Sequence, residues 1–151
     1  MIEHKVRDVV NTISKADEGS FFENILFALS SAIDADYVFI AELNPEHTVA
    51  NTHTAVHKNQ LIDNFEYALK GTPCEITQSG MCCVHPLGIQ PLYPDDQLLV
   101  DMGIEGYVGV PLKNSENEVN FILVALFDKP VVNVSEAESL LLLFSGMILK
   151  E

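Results

Sequence analysis

Apolar side chains recur at helical spacing in three stretches of the chain. The first stretch predicts an amphipathic helix over residues 2–15, with a stripe formed by Ile2, Val6, Val9, Val10 and Ile13. The second runs from Phe22 to Ile33 behind the capping-box pattern Ser20-Phe-Phe-Glu23, which is typical of a helix start. The third contains Leu140 to Leu149 and predicts a C-terminal helix capped by Ser135-Glu-Ala-Glu138.

Alternating apolar residues predict strands between these helices. Residues 37–43 and 49–57 form one pair, joined by a turn at 44–46. Residues 64–69 alternate Phe65, Tyr67 and Leu69, and residues 105–112 and 119–127 read as a hairpin around Asn114–Asn117. The stretch 119–127 is apolar on both faces, which predicts a central strand. We therefore expect an N-terminal helix over residues 1–17 and one α+β domain over 18–151, with an antiparallel sheet of five or six strands.

Residues 71–86 hold all three cysteines and interrupt the regular pattern. Thr72-Pro73-Cys74-Glu75 is a second capping box and predicts a short helix from Pro73 to Ser79 that ends at Gly80. Residues 82–85 are expected to be extended, because proline at 86 disfavours helical geometry before it. Another short helix is expected after the acids at 95 and 96, ending at Gly103.

Composition and charge narrow the class of protein. The 151 residues are 48% hydrophobic, and 22 acids against 8 bases give a net charge of −14. Such a field repels nucleic acid and anionic membrane surfaces, so neither is expected as a partner. No apolar run reaches the length of a membrane span, and the first residues lack a signal-peptide core. An odd number of cysteines, two of them adjacent, is typical of a reduced, cytoplasmic protein.

Four motifs in order resemble a GAF domain. They are Tyr67-Ala-Leu69-Lys-Gly71-Thr-Pro-Cys-Glu75, Cys83-Val-His-Pro86, Tyr93-Pro-Asp95 and Gly106-Tyr-Val-Gly-Val-Pro-Leu112. The resemblance covers roughly residues 18–148 and is closest to bacterial GAF modules upstream of histidine kinase or diguanylate cyclase domains. It implies an antiparallel sheet with the N- and C-terminal helices on one face and a small-molecule pocket on the other. It also implies a sensory or regulatory role that is not catalytic.

The resemblance suggests which residues line the pocket, and excludes two ligand classes. The expected ligand-binding residues, aromatic walls with a few polar tips, are Phe65, Tyr67, Cys74, Cys82, His85, Tyr93 and Tyr107. Bilin-binding relatives carry Cys-His where this chain has Pro94-Asp95, which argues against a covalent bilin. The cyclic-nucleotide signature has no ordered match between Asn59 and Leu69. Asn117 replaces the usual hairpin glycine, a change that asparagine tolerates because it adopts left-handed geometry.

The cysteines leave three interpretations open. Cys74, Cys82, Cys83 and His85 are the residue types that bind zinc or iron, but their spacing lacks the C-x2-C pairs of a closed site. Cys74 near a helix start would have a lowered thiol pKa and a redox role. The third interpretation, which we favour, is a structural role in a buried environment without metal. His53 and His57 are expected on one face of a strand, about 13 Å apart, too far to share an ion.

Three functions are therefore considered. The first is a regulatory module that binds an unidentified small molecule and signals through its terminal helices. The second is a dimerisation module with a vestigial pocket, and the third is a thiol enzyme or sensor that uses Cys74, Cys82 or Cys83, such as the GAF-fold methionine sulfoxide reductases. The four consecutive leucines that begin at Leu140 spread around most of the circumference of the last helix. One sheet can cover only one side of that helix, so some of these leucines would face water. That excess predicts a homodimer through the terminal helices.

Overall fold

A seven-stranded antiparallel sheet runs through residues 21–149, the part of the chain that the computed structural model describes. The strands are β1 (Tyr37–Leu43), β2 (Val49–His57), β3 (Gln60–Leu61), β4 (Glu66–Ala68), β5 (Cys83–His85), β6 (Gly106–Lys113) and β7 (Val119–Phe127). Their spatial order is β3-β2-β1-β7-β6-β5, and β4 pairs with the other end of β2. The predicted α+β class and antiparallel sheet are confirmed. Seven strands are present where five or six were expected, because the two-residue β3, which the alternation of residues does not predict, pairs with the end of β2.

The central strand of this sheet is β7. It pairs with β1 on one side and with β6 on the other, and residues 122–127 are all buried. Leu123, Ala125 and Phe127 belong to the core on one face, whereas Ile122, Val124 and Leu126 belong to the core on the opposite face. The central position predicted from its two apolar faces is therefore confirmed.

Two helices cover one face of the sheet. They are α1 (Phe21–Ile33) and α5 (Val134–Leu149), and they pack against each other and on the strands. With the strands they enclose a helix-side core that includes Ile25, Leu29, Leu140, Leu141 and Phe144. The predicted helix over residues 2–15 and the predicted cap at Ser20 lie outside the described residues.

The other face is covered by an irregular segment, residues 69–105 without strand β5, that we call the roof. It contains three short helices, α2 (Cys74–Gln78), α3 (Ile89–Leu92) and α4 (Gln97–Asp101). With the strands it encloses a second, roof-side core that includes Leu69, Ile89, Leu99 and Ile104. The glycines expected to end α2 and α4 follow them in left-handed geometry, Gly80 at φ 103° and Gly103 at φ 66°.

Two predicted helix caps are wrong. The Thr72 hydroxyl donates to the Leu69 carbonyl at 2.7 Å and makes no cap, while the Glu75 amide bonds to the Thr72 carbonyl instead. Thr72 is buried, and its hydroxyl is taken up in closing the turn that leads into the roof. Helix α5 begins at Val134, one residue before the expected serine cap, because Asn133 Oδ1 accepts the Glu136 amide at 3.1 Å.

A β-bulge in β2 separates two histidines that the strand pattern placed together. Ile40 pairs with Thr54 and Ala41 with Thr52, so His53 is an extra residue in the ladder. The His53 ring consequently contacts Phe22 of α1, on the helix side. His57 stacks on Tyr37, which packs against the roof-side core. The prediction that His53 and His57 share a face is therefore wrong.

Replacing Asn133 with alanine tests the observed cap of α5. We expect the free energy of unfolding to fall by about 0.5–2 kcal/mol, the usual loss when a side-chain cap is removed. Ser135→Ala is the matched control, because Ser135 is exposed inside the same first turn and makes no cap. Urea unfolding of both variants is the measurement. An equal loss of unfolding free energy in Ser135→Ala would show that Ser135 caps the helix instead.

Candidate functional site

A small cavity lies between the sheet and the roof. Its volume is about 30 Å³, which is room for roughly two water molecules. Strands β1, β6 and β7 supply its floor, β4 and the segment before it supply one wall, and the roof helices lie over it and leave it partly open to solvent. The lining residues are Phe39, Phe65, Tyr67, Pro73, Cys74, Asp96, Leu98, Leu99, Met102, Tyr107 and Leu126.

One wall of the cavity is aromatic. The ring centroids of Phe39 and Phe65 are 5.4 Å apart in a T-shaped contact, and those of Phe39 and Tyr67 are 6.1 Å apart. Phe65 and Tyr67 lie 6.0 Å apart with tilted planes. These distances are typical of favourable aromatic packing, so the three rings form one continuous surface.

A network of hydroxyl and thiol groups crosses the cavity. The Tyr67 hydroxyl donates to Cys74 Sγ at 3.2 Å. The Tyr107 hydroxyl lies 3.1 Å from Cys74 Sγ and 3.1 Å from Thr77 Oγ1. The network links the wall, the floor and helix α2 of the roof through polar groups that are otherwise surrounded by apolar side chains.

Burial keeps the network uncharged. It raises the pKa of Cys74 from 9.0 to about 11, against the lowering effect of hydrogen bonds from Tyr107 and Tyr67. Burial also raises the pKa of Tyr67 and of Tyr107 well above the usual value. The lowered Cys74 pKa required by the redox interpretation is therefore wrong. Helix α2 has only five residues, and desolvation outweighs its dipole.

The floor of the cavity depends on a glycine. A Cβ atom at position 109 would collide with the Tyr107 hydroxyl and would lie 2.8 Å from Thr77 Oγ1. The Tyr107 side chain therefore lies over Gly109, two residues further along the same face of β6. Only glycine leaves that space open.

Asp96 brings a carboxylate to the cavity. It is only 8% exposed and immediately precedes α4. Burial raises its pKa, an effect that the backbone amides of Leu98 and Leu99 oppose. Among the described residues, no lysine, arginine or histidine forms an ion pair with it. The sequence pattern assigned Asp96 only to the first turn of a helix, and its adjacency to Asp95, which is exposed, gave no sign of which acid faces inward.

The structure brings together most of the predicted ligand-binding residues. Phe65, Tyr67, Cys74 and Tyr107 line the cavity. His85 and Tyr93 lie together, with Nε2 of the histidine 3.2 Å from the tyrosine hydroxyl, and Tyr93 packs against the roof-side core. Cys82 does not join them.

Cys82 lies on the opposite face of the sheet. It packs against the helix-side core, where burial and then the charge of Glu138 raise its pKa. Cys83 is the cysteine that faces the roof side, because side chains alternate along the extended chain. The prediction that Cys82 lines the ligand-binding pocket is therefore wrong. Within residues 21–149, no three His, Cys, Asp or Glu side chains come close enough to hold one metal ion.

A larger depression lies on the helix side, between the end of α1 and the start of α5. It has a volume of about 350 Å³ and is open to solvent. Its lysine, Lys129, already contacts Asp34 at 3.4 Å and the Asp36 and Asp128 carboxylates at 3.9 Å each. The smaller cavity is the better candidate site, because aromatic rings and buried polar groups converge on it.

Comparison with solved structures identifies the fold. The chromophore-binding domain of Stigmatella aurantiaca phytochrome P1 superposes with a TM-score of 0.73 at 11% identity, over 99% of this chain and 59% of that one. The GAF domain of A. aeolicus NLH2 has a TM-score of 0.71 at 14% identity, covering 99% of this chain and 96% of the other. The GAF domain of an Acinetobacter phosphoenolpyruvate-protein phosphotransferase has a TM-score of 0.72 at 13% identity, covering 99% and 91%.

These neighbours show that the chain has the GAF fold, as the sequence motifs implied. The chain spans less than two thirds of the phytochrome domain it matches. No protein-family model matches the sequence, and no curated protein is similar to it. None of the helices described is long and apolar enough to cross a membrane.

The raised pKa of Cys74 predicts a loss of stability at alkaline pH. An unfolded chain loses the thiol proton near pH 9.0, whereas the folded protein keeps it up to about pH 11. The stabilising contribution is therefore complete below pH 9.0 and disappears as the pH rises through about 11. We expect urea midpoints to fall over this interval, and to fall less in Cys74→Ala.

Cys82→Ala is the comparison for this measurement: partial burial on the other face also raises the pKa of Cys82, but its removal should reduce the fall in the urea midpoint less than removal of the fully buried Cys74 does. A fall in the urea midpoint that is the same in wild type and Cys74→Ala would contradict the assignment to Cys74.

Proposed function

We propose that this chain is a non-catalytic sensory or regulatory domain that binds a small molecule in the cavity between sheet and roof. The observation that carries the proposal is the Tyr67–Cys74–Tyr107–Thr77 network inside an aromatic-walled cavity. Ligand pockets are typically lined by apolar and aromatic side chains with a few precisely placed polar groups.

The neighbours support the same assignment. One is described as the chromophore-binding domain of a phytochrome, and two others are GAF domains. The proposal takes from them a small-molecule role, with the ligand unidentified, and places this chain in a bacterial signal-transduction protein of the cytoplasm.

The cavity of about 30 Å³ is much smaller than the roughly 300–1,000 Å³ of most ligand pockets. We therefore assign the structure to a closed form that accommodates only a compact group of a ligand, and entry of the ligand to a movement of the roof. A ligand that binds this closed form more tightly shifts the population toward it.

The partners of Cys74 support a role other than catalysis. A thiol nucleophile requires a nearby base, and the hydrogen-bonding partners of Cys74 are tyrosine hydroxyls with raised pKa values. His85, the nearest histidine in sequence, bonds to Tyr93.

Helix α5 supports a homodimer as the route of signal output. Leu140 and Leu141 are fully buried, whereas Leu142 is 45% and Leu143 51% exposed. We propose that this exposed pair joins the terminal helices of two subunits, as would suit a dimeric kinase or cyclase output domain. The small cavity volume favours the second candidate function, a dimerisation module with a vestigial pocket.

Filling the cavity tests the binding function. Native mass spectrometry of the wild-type protein should show a retained small molecule, and Cys74→Leu should abolish it because the longer side chain occupies the cavity. Cys82→Leu is the matched control, since it adds the same group on the opposite face of the sheet and should keep the ligand. A retained mass that persists in Cys74→Leu would contradict the assigned site, and no retained mass in any variant would favour the vestigial pocket.

Charging the exposed face of α5 tests the dimer. Light scattering of the wild type should give about twice the 16.7 kDa chain mass, and Leu142→Glu should give the monomer mass. Val132→Glu is the control, because Val132 is 91% exposed but precedes the helix, and it should remain a dimer. A wild-type mass near 16.7 kDa that persists as the protein is concentrated would reject the dimer.

A further inference from the structure

Building on the proposed function, we propose that the cavity recognises a compact organic cation, a primary alkylammonium, with Asp96 as its counter-charge and Phe39, Phe65 and Tyr67 as its aromatic wall. The inference concerns the class of ligand. It rests on three independent features of the cavity: its charge, its rings and its size.

The charge of the cavity lining is negative. Asp96 is the only acidic or basic residue among the lining residues, and it is more than nine-tenths buried. Its charge adds a smaller contribution to the raised pKa of Tyr67 and of Cys74, which burial mainly causes, and all three residues line the same cavity. A cation in the cavity would therefore gain a buried carboxylate, whereas a phosphate or carboxylate ligand would meet repulsion.

The aromatic wall also favours a positively charged ligand. The faces of Phe and Tyr rings attract ammonium groups, and this attraction is strongest where water is excluded. Phe39 is 4% exposed and meets both other rings within 6.1 Å. Aromatic side chains commonly form the walls of sites that bind ammonium ligands.

The size of the cavity selects among cations. Space for roughly two waters matches the two heavy atoms of a CH₂–NH₃⁺ group. A primary ammonium has three donor hydrogens, and the acceptors at hand are the Asp96 carboxylate, Cys74 Sγ and the tyrosine oxygens. A quaternary ammonium has no donor for these groups and needs more space.

In the unliganded protein, the buried carboxylate of Asp96 carries a free-energy cost that a bound ammonium group would remove. A buried carboxylate without a cation is unfavourable, which is consistent with the raised pKa of Asp96. Asp96→Asn should therefore fold at least as stably as the wild type. Asparagine also serves as a residue preceding a helix, so α4 should be retained.

The experiment is a thermal-shift and calorimetric titration with ethylammonium chloride. Ethanol, sodium acetate and sodium chloride at equal ionic strength are the neutral, anionic and salt comparisons. A ligand of three heavy atoms is expected to bind with a Kd of about 1 mM at best. Wild type and Asp95→Asn should show a saturable rise in Tm with ethylammonium alone, and Asp96→Asn should not. Both variants remove one negative charge, but Asp95 is exposed.

An equal response of Asp96→Asn, or an equal response of the wild type to ethanol or acetate, would overturn the cation inference. The same holds if the molecule retained in native mass spectrometry is neutral or anionic, although the proposed binding function would then stand. If ethylammonium gives no response and no molecule is retained, both the inference and the binding function are overturned.

Discussion

The burial of β7 on both faces is the constraint on which the rest of the structure depends. Its side chains alternate between a helix-side core and a roof-side core, so no position from 122 to 127 is free to carry a charge. Polar chemistry must therefore come from the roof and from the flanking strands. This explains why most polar groups of the candidate site lie off the central strands: the carboxylate of Asp96, the thiol of Cys74 and the hydroxyls of Thr77 and Tyr67. Leu126 of β7 contributes only an apolar part of the floor.

Tyr107 is the exception, and Gly109 is what makes it possible. The tyrosine comes from β6, next to the central strand, and its ring lies along the strand over the missing side chain at 109. Its hydroxyl thereby reaches both Cys74 and Thr77 on α2, which fastens the roof to the sheet. The size of the cavity and the position of the roof are set by the same contact. A change in the Tyr107 rotamer would alter both at once.

The parts of the fold that follow from side-chain periodicity could be predicted from sequence, because burial of one or both faces dictates them. This holds for β1, β2, β6, β7 and the C-terminal helix. Features decided by a single local contact could not be predicted in the same way. The cap of α5 belongs to Asn133 because its side chain reaches the Glu136 amide, although the downstream serine fits the capping-box pattern equally well.

At the candidate site, too, some features could be predicted from the sequence and others depend on a single local contact. The alternation of residues 64–69 marked Phe65, and the aromatic residues of the recognised motifs marked Tyr67 and Tyr107, as cavity residues. The side of the sheet taken by Cys82 depended on where β5 begins, and that is fixed by the pairing of Cys83 with Gly109. The choice between Asp95 and Asp96 depended on the entry angle of α4, which no spacing in the sequence encodes.

The two cores are separated by a single peptide unit beside the cavity. Leu126 lines the cavity, and its neighbour Phe127 is buried in the helix-side core with α1 and α5. In the adjacent strand, Tyr107 pairs with Leu126, and the next residue, Val108, belongs to the helix-side core. Close-packed interiors transmit displacement because they contain few voids to absorb it. A movement of Tyr107 would therefore act directly on the packing beneath α5, without a long chain of intermediates, and this gives the cavity and the exposed leucines of α5 a short physical connection.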